Sequence, residues 1–430
     1  MMMRQRWGLD REGDCTLSPA SASRRSLLKL GAAACVASFG IAAPARLYAS
    51  KTDDTETAHL SQPFFGVHQP GIVTPQPAAA AIVAFDALAT NRADLKRLFR
   101  TLTERIAFLM AGGPISDRDP LLPPTDSGLL GQIVVPDNLT VTVALGVSLF
   151  DDRFDLKRLK PTHLVTMARS PNDALDASLC HGDMLIQFCA DSQETVIHAL
   201  RDIIKNTPDL LSIRWKIDGF LPPATVRRSG EETARNVLGF KDGTANLAAS
   251  DAALMNRYVW VQPGADEPLW TVGGSYQVVR IIRALVERWD RTPLNEQQKI
   301  FGRSKMSGAP LGAGSEHDLP DYANDPDGLR VPLAAHIRRA NPRTPETDAN
   351  LILRRPYNFS RGINKNGQLD IGLLFVCFQS NLTAGFLAVQ SRLNGEALEE
   401  YIKPIGGGYF FALPGVPSSD RFLGDALLFA

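Results

Sequence analysis

Cysteine is scarce in this 430-residue chain. Its five residues, Cys15, Cys35, Cys180, Cys189 and Cys377, are too few and too scattered for a disulfide framework. An excess of one charge is missing as well: Lys and Arg together number 46, and so do Asp and Glu, so no overall basic field invites nucleic acid. Beyond the N-terminal region no run reaches ~18 uninterrupted apolar residues, which leaves no candidate membrane anchor in the mature chain. What is present suits a globular protein. A hydrophobic share of 44% against 21% charged allows a sizeable core, and the length allows two ordinary domains or one large one.

The N-terminus reads as an address. Ser23-Arg24-Arg25-Ser26-Leu27-Leu28-Lys29 places two arginines ahead of a modest apolar run, Leu30 to Ala37. Small residues follow near Ala43-Pro44-Ala45 and Ala49. The run is short and rich in Ala and Gly, which favours a cleaved twin-arginine signal, residues 1–49, over an anchor. Cleavage is expected near Ala49, with Ala45 as the alternative, and the folded product is expected in the periplasm. Cys35 lacks the leucine three residues earlier that a lipidation site needs.

Hydrophobic periodicity then organises the mature chain. After a polar arm at 50–63, residues 78–88 read as a buried strand and 92–111 as an amphipathic helix with Leu95, Leu98, Leu102, Ile106 and Leu109 on one side. A Pro/Gly-rich connection, 114–137, leads to strands at 139–149 and 184–189. A second helix, 192–206, carries Ile197, Leu200, Ile203 and Ile204 on its apolar side. The second half follows the same order loosely. Strands are expected at 257–261, 274–285, 370–379 and 409–413, and helices opening at 295–300 and spanning 382–394. The fold class is α+β, with the strand–helix–strand order of a ferredoxin-like unit.

Two stretches carry the chemistry. Val331 to Arg361 holds His336 in a short helical run, an Asn341-Pro342 break, and then Leu351-Ile352-Leu353 running into Arg354 and Arg355. An imidazole on a short apolar helix is a good iron donor, although most such histidines are structural. Ninety residues earlier comes Gly239-Phe240-Lys241-Asp242-Gly243. Glycines around a carboxylate let the backbone approach a flat ligand closely, or simply make a turn with an Asx hydrogen bond.

Together these stretches resemble the dye-decolorising (DyP-type) haem peroxidase family: GFKDG matches its GxxDG motif, and AHIRRANPR the segment that carries its proximal histidine. The likeness runs from about Phe64 to the C-terminus, through HQPGIVTPQ, SLFDDRF, GADEPLWTVGGSYQVVR and IGGGYFFALPGV. Its nearest flavour is the exported branch tied to ferrous iron uptake. The resemblance implies two ferredoxin-like units, 50–225 and 226–430, with antiparallel sheets packed together as in a dimeric α+β barrel. One haem b per chain would sit mainly in the C-terminal unit.

It also implies roles. His336 would be the axial ligand, backed by a carboxylate from 396–400, with Glu400 favoured and Glu399 the rival. Asp242 would move a proton between the two oxygens of hydrogen peroxide, and Arg354 would steady the charge that develops, with Arg355 as the fallback. Gly243, Thr244, Asn246 and Arg338 would border the cofactor. Arg339 and Arg343 flank the histidine and could equally pair with haem carboxylates or with acids. His68 has a structural role as its default, Cys180 and His181 form an unsupported metal pair, and Cys189 and Cys377 read as inert buried thiols. Trp260, Trp270, Tyr258, Tyr357 and Tyr409 are core residues or relays to the surface.

The implied activity is oxidation of dye-like or phenolic donors by peroxide. The alternative is release of iron from haem with the porphyrin kept intact, alongside an iron permease and a cupredoxin-like partner. A homodimer stays open, and no nucleic acid partner is implied.

Overall fold

The stretch AAAIVAFDA shows no polar alternation because its strand is covered on both faces. The computed structural model describes residues 61–116, 119–223 and 233–430. The twin-arginine segment, Cys15, Cys35 and the 225/226 boundary lie outside them. All described residues belong to one compact unit, Thr52–Ala430.

The first half runs β1 (Ala79–Ala87), α1 (Arg92–Ala111), β2 (Thr140–Gly146), β3 (Met184–Ala190), α2 (Gln193–Asn206) and β4 (Leu211–Phe220). Its antiparallel strands lie in the order β2-β3-β1-β4, the βαββαβ pattern expected from the sequence. The second half repeats it: β5 (Ser275–Ala284), α3 (Leu294–Phe301), α4 (His336–Ala340), β6 (Tyr357–Ile363), β7 (Leu369–Gln379), α5 (Ala388–Leu393) and β8 (Ile402–Ala412), ordered β8-β5-β7-β6.

The two half-sheets join edge to edge. Phe410, Phe411 and Ala412 of β8 pair with Gly146, Leu145 and Ala144 of β2, and Phe220 of β4 pairs with Asn358 of β6. Because every half-sheet edge then meets another, the strands close into a barrel, and closure removes the exposed edges that would recruit other chains. Ala80, Ile82 and Ala84 of β1 fill the inside with Leu185, Trp215, Val279 and Phe410. Ala81, Val83 and Phe85 face outward under α1 and α2.

Local chemistry sets the element ends. Asn91 accepts the amide of Asp94 at the start of α1, and Gly112 ends it at φ 71°. Ser192 caps α2 and is itself held by Asp137.

The structure corrects five readings of the sequence. Residues 257–261 form no strand: Asp251 accepts the amides of Ala253 and Leu254 and starts a helix, Ala252–Tyr258, whose aromatic end mimics a strand pattern. On α2 the buried side is Val196, Ala199, Leu200 and Ile203, while Ile197 and Ile204 are exposed. The strand at 139–149 stops at Gly146 and coils into a 3-10 turn. The helix at 382–394 breaks at Gly385 (φ −81°, ψ −105°). Finally, β8 begins at Ile402 rather than 409. Its Gly406-Gly407-Gly408 run hides it from propensity, yet a Cβ at Gly407 would lie 2.0 Å from the Val279 carbonyl oxygen.

One buried side chain spans the β2–β8 seam. The Gln69 amide nitrogen donates to the carbonyls of Val143 and Leu413, both at 2.8 Å, and its oxygen accepts the Val143 amide at 2.9 Å. Gln69→Ala strands these buried backbone groups and is expected to cost about 2–3 kcal/mol. The check is the urea midpoint, which should fall with an unchanged slope. A loss under about 0.5 kcal/mol, the range of an ordinary surface substitution, would show that the seam does not lean on it.

Candidate active site

Helix α4 is only one and a half turns long, and it exists to aim one side chain. His336 opens it, with Ala335 extended before it and Asn341 ending it. At 100° per residue, Ala340 returns to the histidine's side, and both line one cavity together with Ile337. The imidazole Nδ1 lies 2.8 Å from Oε2 of Glu396, which is buried. With Nδ1 engaged, Nε2 is the nitrogen left for a ligand. Burial alone would lower the imidazole pKa, but the charge and hydrogen bond of Glu396 outweigh it, and the pKa stands above its ordinary 6.5.

Asp242 sits at the end of a tight loop. The amide of Asn236 donates to Phe240, and that of Asp242 donates to Ala234. Gly239 (φ 85°) and Gly243 (φ 129°) occupy conformations that side chains disfavour. The carboxylate Oδ1 accepts Nη1 of Arg354 at 2.8 Å, and the Asn236 amide approaches Oδ2 at 3.4 Å.

Arg354 lies on a two-residue strand, Leu353–Arg354, paired with β7 through Cys377. Its peptide is clasped from both sides by Asn246, which donates to its carbonyl at 2.7 Å and accepts its amide at 2.8 Å. Arg355 points the other way, into the barrel, where Nη1 reaches the Thr74 carbonyl at 2.7 Å.

His336, Glu396, Asp242, Gly243, Thr244 and Arg354 line a single cavity of about 280 Å³, with Phe301, Ile352, Leu373, Phe375, Phe386 and Val389 among its apolar walls. Leu373 and Phe375 come from β7, so the sheet supplies one wall directly. A second cavity, about 850 Å³, shares Thr244, Ala245, Arg303, Asn341, Arg343 and Leu351 with the first. Asn246 lines this outer cavity and not the inner one.

Two expected site residues are elsewhere. Glu400 does not back the histidine: it pairs with Arg288 at 2.6 Å on the surface, both side chains about 60% exposed. The chain turns at Gly395 (φ 78°), which puts Glu396 under His336 and sends Glu400, a turn later, outward. Glu399 lines the cavity but accepts the Gly395 amide. Arg338, two residues or about 200° round α4 from the histidine, turns away from the cavity to Asp325 and the Val331 carbonyl.

Arg339 is spent on the carbonyls of Arg392 and Asn394. His68 stacks on Trp260 at 3.9 Å, with Nδ1 on the Gly273 carbonyl. Cys180 is buried against the Asp176 carbonyl, and among the described residues no metal-holding cluster occurs. Trp260, Trp270, Tyr258, Tyr357 and Tyr409 are all buried, and none of them lines the inner cavity. Asn236, Arg303 and Tyr322 line it without having been singled out in the sequence. Only the fold brings them there, from loops without a motif.

The chain is similar to proteins of known family. Residues 69–221 match the family model described as Dyp-type peroxidase, N-terminal, and residues 233–417 the one described as Dyp-type peroxidase, C-terminal. A protein named Deferrochelatase from Escherichia coli (strain K12) is 58% identical over 409 residues, covering 94% of this chain and 97% of that protein. One of the same name from Yersinia pseudotuberculosis is 62% identical over 367 residues, 85% of each. Among solved structures, a DyP-type peroxidase from Cellulomonas bogoriensis superimposes with a TM-score of 0.77 at 34% identity, covering 87% of this chain and 99% of that one. Ferric DtpA from Streptomyces lividans gives 0.78 at 34%, with the same coverage.

The histidine–carboxylate pair makes a pH prediction for the cofactor-free protein. A folded pKa raised above the unfolded one contributes stability that is fully present below pH ~6.5 and is lost as pH rises through the raised value. Imidazole resonances followed by NMR should give His336 a midpoint above 6.5, and Glu396→Gln should bring it down. A midpoint unmoved by that substitution would detach Glu396 from the histidine.

Proposed function

The chain belongs to the Dyp-type peroxidase family, and from that membership we propose that its inner cavity holds haem b on His336 while Asp242 and Arg354 handle peroxide. The protein is a haem-dependent peroxidase. The residues present fit that cofactor. Nε2 of His336, once deprotonated, is a donor of the type haem iron takes, the aromatic and aliphatic walls suit a flat apolar ring, and arginines stand at the junction of the two cavities. When bound, haem takes oxidising equivalents from hydrogen peroxide and passes them to a donor.

One observation carries the reading: a buried carboxylate behind a histidine and a paired Asp242–Arg354 line the same cavity. Glu396 fixes the tautomer and ring orientation of His336 and makes Nε2 a stronger donor. Of the carboxylates lining the cavity, this reading assigns the base to Asp242, the one paired with Arg354. It takes a proton from one oxygen of peroxide and returns it to the other, which leaves as water. Arg354 donates to Asp242 and presents a fixed positive charge where negative charge develops on the departing oxygen. Asn246, by clasping the Arg354 peptide, keeps that guanidinium in register. Dye-like or phenolic molecules are the donors this reading assigns, with the outer cavity as their approach.

Likeness to the proteins named Deferrochelatase favours a second reading of the same cavity: haem as substrate, its iron released and the porphyrin left whole. Arg24-Arg25 and the short apolar run after them support export through the twin-arginine route to the periplasm. Among the described residues no helix is long and apolar enough to cross a membrane. An iron permease and a cupredoxin-like protein are the partners this second reading assigns.

Stopped-flow mixing of the haem-loaded protein with one equivalent of peroxide tests the assignment. Arg354→Leu should slow the spectral change by ~10²–10³, the usual cost of a lost donor at developing charge, and Arg355→Leu far less. Asp242→Asn should slow it at every pH. A wild-type rate in Asp242→Asn would remove the aspartate from the proton chemistry, and the reverse ranking of the arginines would exchange their roles. Fluorescence of metal-free porphyrin, accumulating with time, would mark the second reading.

A further inference from the structure

We propose that the barrel interior holds a small inorganic anion, gripped by one edge of the Arg355 guanidinium and by the hydroxyl of Tyr357. Neither residue lines the inner or the outer cavity, and the site does not depend on the haem reading. Arg355 is only 6% exposed. Its Nη1 is used on the Thr74 carbonyl, while Nε and Nη2 are buried without a partner. These two nitrogens point their N–H bonds the same way along one edge of the planar group, the geometry that grips an anion. Elsewhere in this protein the same edge does so: Arg105 gives Nε and Nη2 to the two oxygens of Asp202, at 2.8 and 2.6 Å. On Arg355 no protein group meets it among the described residues.

The surroundings add donors but no negative charge. Arg355 makes no ion pair among the described residues. The Tyr357 hydroxyl is buried and unpartnered, and so is Oγ1 of Thr140. Cys189 stands between them. Its thiol lies beside Tyr357 and in the field of Arg355, and Thr140 pairs with it directly across β2 and β3, which puts both side chains on the interior face. Neither the thiol nor the phenol can supply the missing charge. Burial pushes the Cys189 thiol up and the Tyr357 phenol well above its ordinary value, so both stay neutral. A guanidinium keeps its proton in a protein, and a buried charge needs a partner. Donors arriving from β2, β3 and β6 around an unmatched cation suit a spherical acceptor of one negative charge. Chloride is that anion.

The test compares urea midpoints of the full protein in sodium chloride and in sodium gluconate at one ionic strength. An anion held only by the folded state raises the midpoint as its concentration rises, and gluconate is too large to enter the barrel. Chloride should therefore lift the wild-type midpoint above its gluconate value. Arg355→Met should abolish that difference, and Tyr357→Phe should shrink it. No difference in the wild type, or the same difference in the wild type and Arg355→Met, overturns the proposal. Should Arg355→Met fail to fold, crystals of the unaltered protein grown in sodium bromide decide. An anomalous peak against Nε and Nη2 of Arg355 upholds the site, and ordered water or side-chain carbon in that place overturns it.

Discussion

Closure of the sheet is the constraint on which the rest depends. The two half-barrels meet through three residue pairs at one seam and a single pair at the other. With so few shared bonds, the join relies on packing inside the barrel and on clips such as Gln69. The return is rigidity where the chemistry needs it. β7 is held by β5 on one side and by β6 and Leu353–Arg354 on the other. One face of β7 fills the barrel with Leu374, Val376 and Phe378, and the other gives Leu373 and Phe375 to the cavity. Arg354 is therefore carried on a strand whose partner also forms the cavity wall.

The site combines groups that would be costly apart. A buried carboxylate behind an imidazole, and a carboxylate paired with a guanidinium, each bring their own counter-charge or hydrogen bonds. That local neutrality lets both pairs sit among apolar walls. Arg303 and Arg343, where the two cavities meet, differ: among the described residues neither makes an ion pair.

The sequence made much of this legible, and the limits are physical. The first βαββαβ unit was readable because α1 has a clean helical period and β1 an unbroken apolar run. His336 and Asp242 lie in stretches that resemble the family's motifs, and Arg354 follows at the spacing the resemblance implies; the fold brings all three to one cavity. The backing carboxylate could be narrowed only to 396–400. A turn at Gly395 decides which glutamate faces inward, and backbone dihedrals are not written in residue type. Arg338 was misplaced for a related reason, since two residues on a helix mean opposite sides. The first part of β8, residues 402–408, escaped because its glycines, required by close approach to β5 and Leu179, lower the very propensity that marks a strand. Asn236, Arg303 and Tyr322 come from loops whose convergence is a property of the closed fold alone.

The roles of His336, Glu396, Asp242 and Arg354 all depend on how haem lies in the inner cavity. An atomic structure of the haem-loaded protein tests this most directly. It should show iron bonded to Nε2 of His336 with Nδ1 still on Glu396, and Asp242 and Arg354 over the opposite face of the porphyrin. Iron bound by another residue, or a porphyrin lying away from the Asp242–Arg354 pair, would contradict it.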